Sequence, residues 1–225
     1  MAPLVIFGAS RGVGLELVRL ARHGGRPVVA LVRDGSSRSE LDAAGVTVVT
    51  GDVLDPQAVS AACAAAGGPF DLVSTVGGRT ADGRFTDEWG NIAAVDAAAA
   101  GPCRRLVLVT SMGCGEMAPF RSERAIAAFG AAVDAKTRAE DHMRRAFPRG
   151  TAIRPGGLRS EPATGRGILS ADPEIHGFIH RADVAELVLR ALDDAATEGR
   201  FLAAVDADQA RSVHPVEPFP LKPRA

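Results

Sequence analysis

The residues best suited to chemistry stand near the start of the chain. The stretch LVIFGASRGVGLELVRL runs from an apolar segment into Gly8-Ala9-Ser10-Arg11-Gly12-Val13-Gly14 and then into a helical pattern. Gly8 permits a tight turn, Gly12 lets the backbone approach a pyrophosphate, and Gly14 lets a helix pack closely on a strand. The free N–H groups and the dipole at the start of that helix favour an anion, with Ser10 and Val13 in the same turn. The chemistry implied is the binding of a nicotinamide dinucleotide. An acidic side chain at the end of the second strand would bind a ribose 2′-hydroxyl, whereas arginine accommodates a 2′-phosphate. Here VVALVRDG ends in Arg33, and Arg11 adds a second guanidinium inside the glycine loop. Two such forks suit a phosphate, so the expected cofactor is NADP(H). The alternative for Arg33 is a solvated side chain in an arginine-rich sequence.

These residues need a scaffold, and the sequence alternates in the way that provides one. Apolar, β-branched runs predict strands at Leu4–Phe7, Val28–Val32, Val46–Thr50, Leu72–Thr75, Leu106–Thr110, Thr151–Arg154 and Arg200–Val205. The runs do not alternate with polar residues, which predicts strands buried on both faces in a parallel sheet. Helix-length segments lie between them, at Val13–His23, Ser37–Ala44, Gln57–Ala66, Glu88–Ala100, Ser122–Phe147 and Ala182–Leu192. Asp55-Pro56 reads as an N-cap followed by the first helical residue. The pattern predicts one α/β domain over residues 1–205: a Rossmann-like, doubly wound parallel sheet with helices on both faces and a small substrate-binding annex. Segments 112–124 and 155–180, rich in turn formers, are expected as loops walling a substrate pocket, with Met112, Met117, Phe120 and Phe178 as an apolar lining or as ordinary core. The proline-rich tail, 206–225, is expected as a surface strap or as disorder.

Composition excludes several classes. The chain has 225 residues, 46% of them apolar, and a net charge of −1, which leaves no electrostatic footprint for nucleic acid. Aromatic residues make up 4%, too few for base-stacking platforms. The longest apolar runs are too short to cross a bilayer, and the N-terminus lacks the basic start of a signal peptide. Cys63, Cys103 and Cys114 have no metal-ligand spacing, so no metal is expected; they read as thiols of a reducing cytoplasm. Monomer and homodimer are both compatible with the sequence.

The glycine loop, VVALVRD, GDVLDP at 51–56, LVLVTSMG at 106–113, RPGGLRSEPATG at 154–165 and IHRADVAELVLRAL at 179–192 together resemble the short-chain dehydrogenase/reductase superfamily. The chain is most similar to its atypical members, the NmrA-like NAD(P)-binding proteins and the biliverdin/flavin reductase type, although the glycine spacing is that of the standard enzymes. The resemblance implies that Asp52 and Val53 hold the adenine, the alternative for Asp52 being a turn cap. It implies that Thr75, Val76 and Gly77 pass the ribose and nicotinamide, that Pro155, Gly156 and Gly157 contact the carboxamide, and that Lys136 reaches the nicotinamide ribose. Ser111 falls where the family's catalytic serine belongs. The family's tyrosine position, one turn before Lys136, is Ala132, and the chain contains no tyrosine.

That omission has an energetic consequence. Hydride addition to a simple ketone leaves an alkoxide about 12 kcal/mol above its protonated form at neutral pH. Ser111 can polarise a carbonyl but is a poor acid. His142, His176 or His180 would be substitutes, each with a structural alternative. A quinone, a flavin or an aromatic ketone beside a phenol lowers the deficit to about 4 kcal/mol, and the phenol can supply its own proton. The expected function is therefore NADPH-dependent reduction of a small aromatic or conjugated carbonyl, with protonation by substrate or water. An aromatic-polyketide ketoreductase is an analogy drawn from fold and high-GC composition. The alternatives are a non-catalytic NADP sensor of the NmrA type and a non-redox isomerase or dehydratase.

Overall fold

The computed structural model describes residues 1–222. Its elements, in chain order, are β1 (Leu4–Phe7), α1 (Gly12–His23), β2 (Val28–Val32), α2 (Ser39–Ala43), β3 (Thr47–Thr50), α3 (Pro56–Ala64), β4 (Phe70–Ser74), α4 (Thr86–Ala100), β5 (Cys103–Val109) and α5 (Glu123–Ala146), then β6 (Thr151–Pro155), β7 (Gly157–Arg159), β8 (Gly167–Ser170), β9 (Phe178–His180), α6 (Arg181–Asp193) and β10 (Phe201–Asp206). Eight strands form one sheet in the order β3-β2-β1-β4-β5-β6-β10-β8. All neighbours in it are parallel except β10 and β8. This is the doubly wound α/β architecture expected from the alternating pattern.

The core explains the apolar runs. Along β1, Leu4 and Ile6 point to one face and pack with Leu17 and Val18 of α1 and Val184 and Val188 of α6. Val5 and Phe7 point to the other and pack with Val59 of α3, Val95 of α4 and Met143 of α5. Each central strand thus needs apolar residues at consecutive positions, because helices cover both faces. β3 departs from that expectation: Thr47 and Thr50 are exposed, because β3 is the sheet edge.

Segment 155–180 also departs from its expected loop. It holds three short strands: β7 and β9 pair in parallel as a separate two-stranded sheet, and β8 extends the main sheet at its far edge. Runs of three or four residues amid glycine and proline carry too little periodicity to be seen in sequence. Segment 112–124 contains a short 3-10 helix, Gly115–Phe120. Asp55 caps α3 as expected, accepting from the Gln57 N–H at 2.9 Å. The tail is a strap up to Lys222: Phe219 donates its N–H to the Leu169 carbonyl at 2.7 Å, and the Lys222 N–H donates to Asp194 at 2.9 Å. Among the described residues no helix is long and apolar enough to cross a membrane.

Candidate cofactor and substrate cleft

The connections run one way from β1 to β3 and the other way from β4 to β6, so the strand order reverses between β1 and β4. At such a switch point the loops after the strands separate and leave a crevice. The crevice here is a cleft of about 1100 Å³. Of the expected cofactor and catalytic residues, Gly8, Ser10, Arg11, Gly12, Val13, Arg33, Val53, Thr75, Val76, Gly77, Ser111 and Lys136 line it.

The glycine loop has the geometry that its spacing implied. Gly8 has φ +88° and Gly12 φ +58°, both in the left-handed region that favours glycine. A Cβ on Gly8 would meet Thr75 Oγ1 at 2.6 Å, and a Cβ on Gly14 would collide with the Gly8 carbonyl oxygen. Gly14 therefore acts beneath the cleft, letting α1 approach β1. Thr75 is locked there by donating to the Phe7 and Gly8 carbonyls at 3.2 and 3.1 Å. α1 begins with no side-chain cap at Arg11 and no acidic residue in its first turn, so its N–H groups face the cleft without a competing carboxylate. This cradle fits a dinucleotide pyrophosphate.

At the β2 end, Arg11 and Arg33 are exposed and make no ion pair among the described residues. Arg19 and Ser36 also line this end. Arg19 is already neutralised by Glu16 at 2.7 Å and by Glu40. At this end Arg11 and Arg33 are thus the guanidinium groups without a carboxylate partner among the described residues.

At the other end, Ser111 and Lys136 share the β5–α5 side of the cleft. The Ser111 hydroxyl donates to the Met112 carbonyl at 3.1 Å. Lys136 Nζ is paired with Asp87 Oδ1 at 2.8 Å. Asp87 is a residue that sequence reasoning missed, because one acid in the first turn of a helix reads as a dipole partner. It is buried, and its other oxygen accepts from the Gly78 N–H at 2.7 Å. Ala132, one turn before Lys136, is half-buried and holds the place where a tyrosine is absent.

The register of α5, which carries Lys136, is fixed by a second buried group. Glu140 accepts from Arg154 Nη2 at 2.7 Å, from Arg154 Nε at 3.1 Å and from the Thr110 hydroxyl at 2.6 Å. These bonds tie α5 to the ends of β5 and β6, immediately before Ser111.

Several expected residues do not line the cleft. Asp52 is an exposed turn cap whose carboxylate accepts from the Leu54 N–H at 2.8 Å. Pro155 is buried in β6, a Cβ on Gly156 would collide with the Gly177 carbonyl oxygen, and one on Gly157 would meet the Phe178 ring at 2.5 Å. β6 holds Pro155 in the main sheet and the pairing of β7 with β9 draws Gly156 and Gly157 against the annex, and Leu158, Ser160, Glu161, Pro162 and Ala163 form the wall instead. Met117 belongs to a core cluster with Ile175 and Val205, whereas Phe120 and Phe178 are exposed. The histidines also lie outside the lining. His142 pairs with Asp96 at 2.6 Å on the surface, and His176 forms a backbone bridge with Arg211. His180 is buried beside Asp183 and Asp206. Those carboxylates are occupied: Asp183 accepts from the Thr164 and Gly165 N–H groups at 3.0 and 2.9 Å, and Asp206 accepts from the Thr164 hydroxyl.

Known proteins share this arrangement. A family described as NAD(P)H-binding matches residues 8–195. YhfK of Bacillus subtilis (strain 168), described as an uncharacterized sugar epimerase, is 30% identical over 209 residues, covering 90% of this chain and 94% of that protein. An NAD(P)H azoreductase of Xenophilus azovorans is 37% identical over 59 residues, 26% of this chain and 21% of that one. Among solved structures, ChuY, an anaerobillin reductase from Escherichia coli O157:H7, superposes with a TM-score of 0.84 at 38% identity, covering 95% of this chain and 100% of that chain. The chain belongs to the NAD(P)H-binding family.

Proposed function

We propose that this chain is an NADPH-dependent reductase of flat, conjugated acceptors, in which substrate or water supplies the proton that a tyrosine supplies elsewhere in the superfamily. One observation carries the reading: the cleft combines the glycine cradle with Ser111 and Lys136, while Ala132 stands where an acid would be. The bound dihydronicotinamide supplies the hydride. Arg11 and Arg33 select the phosphorylated cofactor by forks to its 2′-phosphate. Ser111 polarises the acceptor atom. Leu158 in the cleft wall offers an apolar contact to a planar molecule. The likeness to an anaerobillin reductase and the short match to an azoreductase support a conjugated acceptor, in which developing charge is delocalised.

The test is NADPH oxidation against quinones, flavins, anaerobillin and hydroxylated aromatic ketones. A phenol beside the reduced carbonyl should speed turnover, and its methyl ether should be slow while still binding. Full activity on the ether, together with a crippling His142, His176 or His180 variant, would replace substrate protonation with a histidine acid. The likeness to a sugar epimerase favours a second reading, in which the cofactor is not consumed. Flat traces throughout, with tight NADPH binding, would select that reading or a sensor.

A further inference from the structure

We propose that Asp87 is a positioning residue for Lys136: it fixes the ammonium at the reducing end of the cleft, a task that no tyrosine can share in this chain. The inference rests on the reductase reading above. Asp87 is 4% exposed, so its charge needs a partner, and Lys136 at 2.8 Å is the cation that it meets. The carboxylate cannot easily turn away. Its second oxygen accepts from the Gly78 N–H at 2.7 Å, and its main-chain carbonyl accepts from Asn91 Nδ2 at 2.7 Å. Asn91 in turn accepts from the Ser74 hydroxyl at 2.7 Å, so the network reaches back to the end of β4.

Lysine is a point charge on a flexible four-carbon stem, and aiming it requires an anchor. Of the five cations lining the cleft, Arg11, Arg19, Arg33 and Arg181 come from the glycine loop, α1, the end of β2 and the start of α6. Lys136 alone comes from the side that holds Ser111. One of its three N–H donors is held by Asp87, and two remain for oxygens in the cleft. When hydride reaches the substrate, negative charge collects on the acceptor atom, and a fixed ammonium stabilises it. The proton that completes the reduction comes from substrate or water. The substrate gains one hydride and one proton, and Lys136 and Asp87 end as they began.

A purely structural Asp87 would serve only the Gly78 turn, and asparagine would then do as well, because an amide oxygen accepts the same N–H. Asp87→Asn therefore separates the roles. The chain has two lysines, and Lys222, whose side chain is 71% exposed, is an internal reference. With ¹⁵N-labelled lysine and no cofactor, the Lys136 ammonium should give a signal protected from solvent exchange. Asp87→Asn should remove that protection and leave Lys222 unchanged. On an acceptor that the wild-type protein reduces, the variant should lose about ten- to a hundredfold in kcat, while NADPH affinity by calorimetry moves by less than about threefold. Lys136→Met should show a similar loss, and the double variant should be no worse than Lys136→Met alone. An unchanged Lys136 signal in Asp87→Asn, an unchanged kcat, or additive losses in the double variant would overturn the proposal. If the wild-type protein reduced nothing, the reductase reading would fall with the catalytic half of the inference. The ammonium signal would still decide the pairing. Should Asp87→Asn not fold, the protection measured in wild type and the response to Lys136→Met decide it.

Discussion

Replacing Glu140 by alanine tests whether one buried ion pair sets the register of α5. Glu140 is 1% exposed and Arg154 2%. The two make a bidentate pair at 2.7 and 3.1 Å, and Thr110 adds a third bond. Removing one partner of a buried pair costs about 3–5 kcal/mol, because the other charge is left without compensation. Here the compensation is not entirely lost. Glu116 Oε2 stays 2.9 Å from Arg154 Nη1, but Glu116 is half-exposed and its attraction is screened by water. The expectation is therefore the lower end, about 3 kcal/mol. For a chain of this length that is a fall of about 6–12 °C in Tm. Glu140→Gln keeps an acceptor for Thr110 and loses only the charge, so it should cost less, about 1.5–3 kcal/mol. The assay is urea unfolding followed by circular dichroism, with and without NADPH. Because Lys136 lies one turn away on the same helix, turnover of an acceptor should fall in both variants. A loss below about 1 kcal/mol for Glu140→Ala, at an unchanged m value, would show that Arg154 is satisfied without Glu140 and would sink the reasoning.

Other outcomes follow from the same geometry. Arg33→Ala should weaken NADPH by about 1.5–3 kcal/mol and leave NADH binding unchanged in calorimetry; equal losses would remove Arg33 from the phosphate site. Ser111→Ala should lower kcat by about ten- to a thousandfold with cofactor binding intact, and an unchanged kcat would make Ser111 structural. Gly14→Ala should destroy NADPH binding through the collision with Gly8, and retained affinity would show that α1 can shift. Burial pushes the Cys63 thiol up to about 11 and the Cys103 and Cys114 thiols up to about 12. Native protein at pH 8 should thus react slowly with a thiol reagent until urea is added. Because these pKa values are raised on folding, the thiols should subtract stability as pH rises from about 9 toward 12. Rapid labelling of Cys103 or Cys114 in native protein would contradict their burial.

What could be read from the sequence was what a few covalently adjacent residues decide. Gly8 and Gly12 are marked by their own left-handed φ, Gly14 by its approach to the Gly8 carbonyl six residues earlier, and Asp55-Pro56 by a single cap, so these were legible. The apolar runs showed helices on both sheet faces because each central strand is packed twice. What escaped depends on pairing between segments distant in sequence. The link from Asp87 to Lys136 spans α4 and α5, and that from Glu140 to Arg154 spans α5 and β6. Nothing in either residue's neighbours announces its partner. β7 and β9 escaped for the same reason: three-residue strands exist only because each finds the other. Their pairing also explains why Gly157 leaves the cleft lining, whereas Pro155 is held in β6 of the main sheet.

The annex supplies the wall of the cleft opposite the cofactor cradle. One end of the wall 158–163 is pinned by β7 on β9. The other is pinned at Thr164 and Gly165, whose N–H groups donate to the buried Asp183. Thr164 also donates to Asp206 at the end of β10, so the wall is tied to α6 and to the main sheet together. Two buried carboxylates spent on one loop indicate that the wall is held in place rather than left to close on its ligand. The wall presents an apolar Leu158, a polar Ser160 and an exposed Glu161 in a fixed arrangement, which supports the rigid, planar acceptor proposed above. The absence of tyrosine points the same way. A planar conjugated acceptor delocalises the charge that hydride transfer creates, and so tolerates a site that offers a hydroxyl and a fixed ammonium but no strong acid. The wall and the floor thus both support the conjugated acceptor proposed above.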